Sequence, residues 1–556
     1  MQWAAHSRAP NRALLAHPER LLLRGVGGRA AAVPSVVMTE TASDVLLALD
    51  SGSQSSRALL FDARGAVLAV GRGDHAPMKH PEEGAVEQDP MDIRDALFGS
   101  IRRCLKDWGG DPQRIVAGSL TTQRNTILPV ARDGAPLRDA VSWLDRRAAP
   151  ASSESSFVLR QALRVMGENS LLPRLVSKSV PRLWRHRCPE VLDETWKVAP
   201  LEGWLHHQLT GRLAVAPGGS TGVWPWKAKA RQWDRSAVLQ RILGFKDDWL
   251  PEIVEAGQEV GRITASASNE TGLPEGLRLY ACGGDKQAEA LGGGVRVGRR
   301  DVAAVSLGTA SSIVIPWRKP LSSSRYIYLT NASCEPASWS LEYMVFRGMW
   351  TVRWFADNFG RDLAPRAAEE GRPVEALLCD EAAQVPPGSG GVVTWPRWSP
   401  SLQHPEEVGA ILGLREVHSR AHVFRSLLEG IAFDLRRGLG ILESATNTRV
   451  RELRVGGGGS RSDVVVQILA DVLNLPVLRP ASEELAARGA AMVAAVASHQ
   501  HPTMDAAVSA MVPAAPTVHP NAETAAHYDR IYSQIFSAGL TEWLGLAGAL
   551  DRLRLR

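Results

Sequence analysis

Leu47-Ala48-Leu49-Asp50-Ser51-Gly52-Ser53-Gln54-Ser55-Ser56-Arg57 is a hydrophobic run that breaks into a turn of hydroxyl residues and one glycine. A similar pattern returns 256 residues further on, where Val302-Ala303-Ala304-Val305 leads into Ser306-Leu307-Gly308-Thr309-Ala310-Ser311-Ser312. A repeat at this separation implies two related halves. Glycine allows a tight turn and a close backbone approach, and successive amide hydrogens with Ser and Thr hydroxyls form a cradle for an anion such as phosphate. Two facing cradles fit one polyphosphate. Only the first copy ends its strand in a carboxylate, Asp50, the ligand type needed by Mg²⁺ beside phosphates. Taken singly, the first hairpin also reads as an ordinary turn with a locally hydrogen-bonded aspartate; the duplicate favours phosphate.

The elements around the first hairpin predict a mixed sheet. Val45 to Leu49, Arg57 to Phe61 and Ala66 to Val70 read as short antiparallel strands, with Asp62-Ala63-Arg64-Gly65 as the last turn. Asp89 caps a helix that has Pro90 at its first position and Ile93, Leu97, Ile101 and Leu105 on one face. A strand from Arg114 to Leu120 follows. Three strands, a helix and a strand open the α/β layout of ribonuclease-H-like or actin-like ATPase domains, here expected twice around an interdomain cleft. Residues 152 to 250 read as a helical elaboration, with helices near Val180 to Arg187 and Ala199 to Leu209. The second half alternates strands and helices: a helix from Ser419 to Leu442, a strand Leu453 to Val455, a helix Asp463 to Leu473, a strand Val477 to Leu478 and a helix Glu483 to Ala497.

Bulk properties narrow the function classes. The chain has 556 residues, more than one core usually supports, and a formal charge of +5. Residues 1 to 37 hold five Arg and one Glu, so +4 of that charge lies there and the rest is close to neutral, which gives no electrostatic footprint for nucleic acid. Residues 1–43 are expected to stand outside the fold as a disordered extension or an over-extended start, because Met38 lies just ahead of the first strand; an organellar transit peptide is the other reading. No apolar run approaches the roughly 18 residues of a membrane span. Five widely spaced cysteines without a CxxC pair suit a reducing cytoplasm.

Three further groups carry chemistry. Gly456-Gly457-Gly458-Gly459 lies between a strand and a helix, a disposition suited to a nucleotide; neither the P-loop nor the dinucleotide glycine pattern occurs. Leu277 to Cys282 runs as a strand into Gly283-Gly284-Asp285, where Asp285 is either a helix N-cap or a general base that accepts a hydroxyl proton as the oxygen attacks a γ-phosphate. The adjoining Lys286 favours ionised Asp285 if the two side chains meet. Gln123 and Arg124 with Trp143 and Asp145 offer convergent hydrogen bonds and an aromatic face to a polyhydroxyl ligand.

At these motifs the chain resembles the FGGY family of carbohydrate kinases, from about Val45 to Ala497. Residues 47–57 and Gly84-Ala85-Val86-Glu87-Gln88-Asp89-Pro90 are similar to the first phosphate motif of glycerol kinases and the segment after it, and Gly283-Gly284-Asp285 to the segment with the catalytic aspartate. Val180-Pro181-Arg182-Leu183-Trp184 resembles the first family signature, and residues 409–414 with His422, Ser426 and Glu429 the second, with a departure at Leu427. The resemblance implies an N-terminal domain over 44–294 that binds sugar and carries the catalytic aspartate, and a nucleotide-binding domain over 295–556. It implies Mg²⁺ near Asp50, and ATP against Ser53, Gln54, Ser55, Arg57, Gly308, Thr309, Gly457 and Gly458. Gln123, Arg124, Trp143, Asp285 and Lys286 would face a small sugar or polyol, with Asp285 as general base, and the family admits a homodimer. Asn125 stands where glycerol kinases have Glu, and Lys286 where they have Gln. These departures widen the acceptor to a ketose such as a pentulose, to another polyol, or to a substrate with an acidic group on Lys286. The alternative is a non-catalytic actin-like nucleotide-binding partner or regulatory protein.

Overall fold

In the computed structural model the described residues are 44–149, 176–219, 222–321, 323, 327–399, 407–480 and 484–553. The extension expected over 1–43 and residues 152–175 of the elaboration lie outside them. Strands β1 (Val45–Ser51), β2 (Ser55–Asp62) and β3 (Val67–Asp74) form as read from the sequence and are joined by β4 (Ile115–Thr122), β5 (Glu259–Arg262) and β6 (Arg278–Gly284) in the order β5-β6-β4-β1-β2-β3. The second sheet contains β7 (Val302–Leu307), β8 (Ser311–Trp317), β9 (Leu329–Ala332), β10 (Trp339–Val345), β11 (Glu452–Gly456), β12 (Val477–Leu478) and β13 (Thr517–Val518), in the order β9-β10-β8-β7-β11-β12-β13.

The two orders are the same topology used twice. In each half a hairpin (β1-β2, β7-β8) leads, a third antiparallel strand lies outside it (β3, β10), and two parallel strands lie inside (β4 then β6, β11 then β12). The repeat seen in the sequence is therefore a repeat of architecture. Because β1, β4 and β6 run parallel in matched register, with Ser51 opposite Thr122 and Thr122 opposite Gly284, their C-terminal ends finish side by side. The turn after β1 and the residues after β4 and β6 thus share one sheet edge, the usual place for a ligand in such sheets.

Helix α1 (Pro90–Trp108) starts where its cap chemistry predicts: the Asp89 carboxylate accepts from the Met91 amide, and Gly109 ends the helix in the left-handed region at φ 64°. Helix α2 (Val180–Arg187) keeps its predicted bounds, and α3 (Leu201–Thr210) starts two residues later than read, because Lys197–Pro200 is a strand. That strand pairs with Ile127–Val130, which with Ala140–Val141 and Glu87–Gln88 makes a small sheet, so the elaboration is not purely helical. Trp184, Trp224, Trp233 and Trp249 supply its core.

The remaining helices that matter here are α4 (Asp285–Gly292), α5 (Gly348–Phe359), α6 (Arg420–Thr446), α7 (Asp463–Leu473) and α8 (Leu485–Ala497). Helix α6 runs four residues past the expected Leu442, to Thr446, with Asn447 as its cap in the left-handed region. Helix α8 belongs by sequence to the second half, yet it packs on the first sheet: Ala487, Ala490, Ala491 and Ala494 are buried with Leu46, Ala48, Phe61, Ala117 and Cys282. A division at residue 294 therefore separates the sheets but not their covering helices. Small side chains allow this close approach and lock the halves together. Among the described residues no helix is long and apolar enough to cross a membrane.

One buried acid gives the fold a pH signature. Glu202 in α3 accepts from the Ala216 amide at 3.2 Å, while its second oxygen is buried without a partner. Burial pushes its carboxyl up to about 8. Such a group contributes stability below the ordinary carboxylate range that is lost as pH rises through about 8. Glu202→Gln is expected to gain stability over the parent as pH rises from 5 to about 8, read as urea midpoints, with the difference constant above that.

Candidate active site

The hairpin tip after β1 is pinned by a closed ring of hydrogen bonds. The Ser53 hydroxyl donates to Gln123 Oε1 (2.9 Å), Gln123 Nε2 donates to Gln88 Oε1 (2.9 Å), and Gln88 Nε2 donates to the Ser53 carbonyl (2.9 Å). The Trp143 indole donates to Ser53 Oγ at 2.9 Å. Ser53, expected beside the triphosphate, is thereby joined to Gln123 and Trp143, expected beside the acceptor. Gln54 is exposed at the tip and Ser55 is buried as β2 begins. Arg57, opposite Asp50 in the β1-β2 pair, reaches across to Glu484 just before α8 (2.9 Å). Asp50 sits among carboxylates: burial raises it to about 7 against the pull of Arg57, with Asp285, Glu484 and Glu289 adding to the rise.

Asp285 follows β6 as the first residue of α4. Gly284, not Asp285, is the N-cap, and Asp285 Oδ1 accepts from the Lys286 amide (2.9 Å). The carboxylate is partly open to solvent and meets Arg124 Nε at 3.3 Å. Gly284 is required here for space: a Cβ would lie 2.3 Å from Arg124 Cδ.

Arg124 is the hub of the site. Its Nη1 and Nη2 donate to Glu342 Oε2 and Oε1 at 2.7 and 3.0 Å, a two-pronged ion pair between the end of β4 and strand β10 of the other sheet. Asn331 Nδ2 on β9 also donates to Glu342, at 3.1 Å. Burial works against the Arg124 charge, and Glu342 and Asp285 more than offset it, so the guanidinium is held firmly protonated.

Lys286 is placed differently from expectation. Its ammonium does not meet Asp285; it donates to Ser306 Oγ (2.7 Å) and to Glu289 Oε2 (3.0 Å), and Ser306 donates to the same Glu289 oxygen (2.8 Å). A Cβ on Gly308 would lie 3.5 Å from Lys286 Nζ. The residue expected on the acceptor thus lies against the second hairpin, because successive positions of the first turn of α4 point in different directions, Asp285 to Arg124 and Lys286 to Ser306. Burial opposes its charge, and the Glu289 and Asp285 carboxylates hold it above the ordinary lysine range.

The second hairpin and the glycine run are neighbours. Ser306 pairs in register with Gly456, Gly308 is half-buried, and Thr309 is exposed at the turn. The Met349 and Trp350 amides of α5 donate to the Gly308 and Thr309 carbonyls at 3.2 Å each. Gly457 adopts φ 81° and ψ 169°, and a Cβ there would lie 2.8 Å from the Leu307 carbonyl. The run does not open a helix directly: residues Gly458–Arg461 form a 3-10 turn, and Ser462 caps α7. Gly458 is exposed on that turn.

The Lys286–Ser306 hydrogen bond and the Arg124–Glu342 ion pair therefore tie the ends of β4 and β6 to strands β7 and β10 of the other sheet, with Asp285 beside Arg124. Residues 45–292 match the N-terminal domain, and residues 303–498 the C-terminal domain, of the FGGY family of carbohydrate kinases. The chain belongs to this family. It is a phosphotransferase that moves a phosphoryl group from ATP to a sugar or polyol. It is 31% identical over 488 residues to a glycerol kinase of Alkalilimnicola ehrlichii, covering 84% of this chain and 94% of that protein. It is 28% identical over 492 residues to the uncharacterized sugar kinase YgcE of Escherichia coli, covering 88% and 92%. Xylulose kinase from Rhodospirillum rubrum shares its fold at a TM-score of 0.75 and 24% identity, covering 89% of this chain and 98% of that one.

Glu342, Asn331, Glu289 and Gln88 were not singled out from sequence as site residues. Glu342 had a signal, an acid inside the apolar strand Trp339–Val345, where a buried charge needs a partner.

Proposed function

We propose that this FGGY kinase phosphorylates a small polyol or ketose hydroxyl, with Asp285 as general base. The observation that carries the reading is the partly open Asp285 carboxylate at the end of β6, 3.3 Å from Arg124 Nε and next in the chain to Lys286, whose ammonium reaches Ser306 of the second hairpin. The acceptor hydroxyl gives its proton to the Asp285 carboxylate as its oxygen bonds to the γ-phosphorus. The bond from that phosphorus to the β–γ bridging oxygen breaks, and ADP leaves. Gln123, Arg124 and Trp143 orient the acceptor. Ser53, Gln54, Ser55 and Arg57 serve one part of the triphosphate, Gly308 and Thr309 another, and Gly457 and Gly458 the adenosine. Lys286 adds a cation on the phosphate side.

Mg²⁺ suits Asp50. Asp50 offers carboxylate oxygens, the ligand type of a hard divalent cation, and Asp285, Glu289 and Glu484 disfavour its charged form, a repulsion a cation would relieve. Among the described residues no group of three or more His, Cys, Asp or Glu is arranged to hold a metal by itself. When bound, the ion would neutralise charge on the phosphate oxygens.

The test is ADP release with Mg-ATP across a panel of polyols and ketoses. Acceptor-stimulated release supports the reading, and release indifferent to every acceptor contradicts it. The alternative, a non-catalytic nucleotide-binding partner, is not favoured by the family match. A second test addresses the nucleotide side. Gly457 sits in a backbone region open essentially to glycine alone, where another residue costs about 1–3 kcal/mol. Gly457→Ala is expected to weaken ATP binding about tenfold, by displacing Leu307 and the second hairpin, with acceptor KM unchanged. Unaltered ATP binding would remove Gly457 from the nucleotide site.

A further inference from the structure

Three cations around Asp285 and Trp143, namely Arg124, Lys286 and Arg147, already have carboxylate partners. Arg124 is the cation nearest Asp285, and its guanidinium is committed: both terminal nitrogens to Glu342 at 2.7 and 3.0 Å, and Nε to Asp285 at 3.3 Å. Lys286 is turned to Ser306 and Glu289. Arg147, four residues beyond Trp143, is held by Glu87 at 2.6 Å and Asp145 at 2.7 Å. At the same place the neutral donors and acceptors Gln123, Gln88, Ser53 and Trp143 form a fixed polar wall. Two other arginines lie near each other: Arg146 is exposed, and Arg347 donates to Ser399 Oγ at 3.0 Å and stacks on the Trp350 ring at 4.6 Å.

Building on the kinase reading above, we infer that the acceptor is an uncharged polyol or ketose rather than a sugar acid, and that Glu342, by occupying Arg124, sets this selectivity. A carboxylate brought beside Arg124 meets a guanidinium already neutralised by two carboxylates, and it adds a third anion to Glu342 and Asp285. Like charges at such a site disfavour binding, and selectivity then comes from rejecting the wrong ligand as much as from holding the right one. A hydroxyl adds no charge there, and it can accept from the guanidinium edge or donate to the partly open Asp285 carboxylate. The acidic substrate that Lys286 suggested from sequence is thereby set aside: the lysine serves the phosphate side. Glu342 is a specificity-determining residue contributed by the second sheet, so acceptor choice depends on both halves.

The experiment measures kcat/KM for ADP release with Mg-ATP on matched pairs of three to six carbons: glycerol with glycerate, erythritol with erythronate, xylulose with xylonate, and fructose with gluconate. For the parent protein the best uncharged acceptor is expected to exceed its acid partner by about 100-fold or more, given that like-charge juxtaposition is strongly penalised. Glu342→Gln frees one side of Arg124 and is expected to narrow that ratio at least about tenfold, chiefly through a lower KM for the acid. A higher kcat/KM for any of the acids than for its uncharged partner, in the parent protein, overturns the inference and leaves the kinase reading standing. An unchanged ratio in a folded Glu342→Gln variant removes Glu342 from the role. Turnover with neither class overturns the kinase reading itself. The parent panel needs no variant, so a poorly folded Glu342→Gln does not decide the question.

Discussion

Asp285→Asn is expected to lower acceptor-dependent ADP formation by on the order of 10² or more, with ATP affinity unchanged. The substitution keeps the shape of the side chain, and an Asn oxygen still accepts from the Lys286 amide, as Asp285 Oδ1 does at 2.9 Å. What it removes is the ability to take a proton. Gly284 and the first turn of α4 are untouched, and Lys286, which holds Ser306 at 2.7 Å, keeps its second partner Glu289. The loss should therefore appear in kcat, measured by coupled ADP release, and not in nucleotide binding measured by fluorescent-analogue titration. Full turnover by the variant would take the general-base role away from Asp285.

The second large effect is on stability. Arg124→Met leaves Glu342, whose side chain is only 1% exposed, with Asn331 at 3.1 Å and no other ion-pair partner among the described residues. Removing one member of a buried ion pair costs about 3–5 kcal/mol, because the other charge remains desolvated. A urea midpoint shift corresponding to that loss is expected, together with loss of turnover. Adding Glu342→Met to the same chain should recover most of the stability while leaving the enzyme inactive, since a buried pair replaced by apolar side chains is often neutral. A single variant as stable as the parent would show that the link between the halves contributes little.

The fold was legible to the extent that local chemistry decides it. Asp89 and Pro90 start α1, the helix placed near Val180–Arg187 kept those bounds, and Asp463–Leu473 formed as read, capped by Ser462. The duplicated hairpins marked two sheets of one topology, which pairing in both halves shows. Strands of two to four residues, such as Ala140–Val141 and Lys197–Pro200, were missed because they are too short for an alternating pattern and are held by tertiary pairing. Helix α8 was recognised as a helix, but its alanines do not say which sheet they cover.

The site divides in the same way. Residues at strand ends, Asp50, Gln123, Arg124 and Asp285, were singled out as candidates because turn position and chemistry coincide, and matched register brings them to one edge. The direction of Lys286 was not legible, since sequence gives no side-chain direction; its partners, Ser306 and Glu289, are 20 and 3 residues away. Glu342 pairs with Arg124 across 218 residues, a separation no local pattern encodes.

The most direct test of the central claim is a crystal structure of the protein with Mg²⁺, a non-hydrolysable ATP analogue and a polyol acceptor. The expected result is one nucleotide whose phosphates touch both the turn at Gly52–Gln54 and the turn at Gly308–Thr309, with an acceptor hydroxyl hydrogen-bonded to Asp285 and in line with the γ-phosphorus. A triphosphate held by only one of the two turns, or an acceptor out of reach of Asp285, would contradict it.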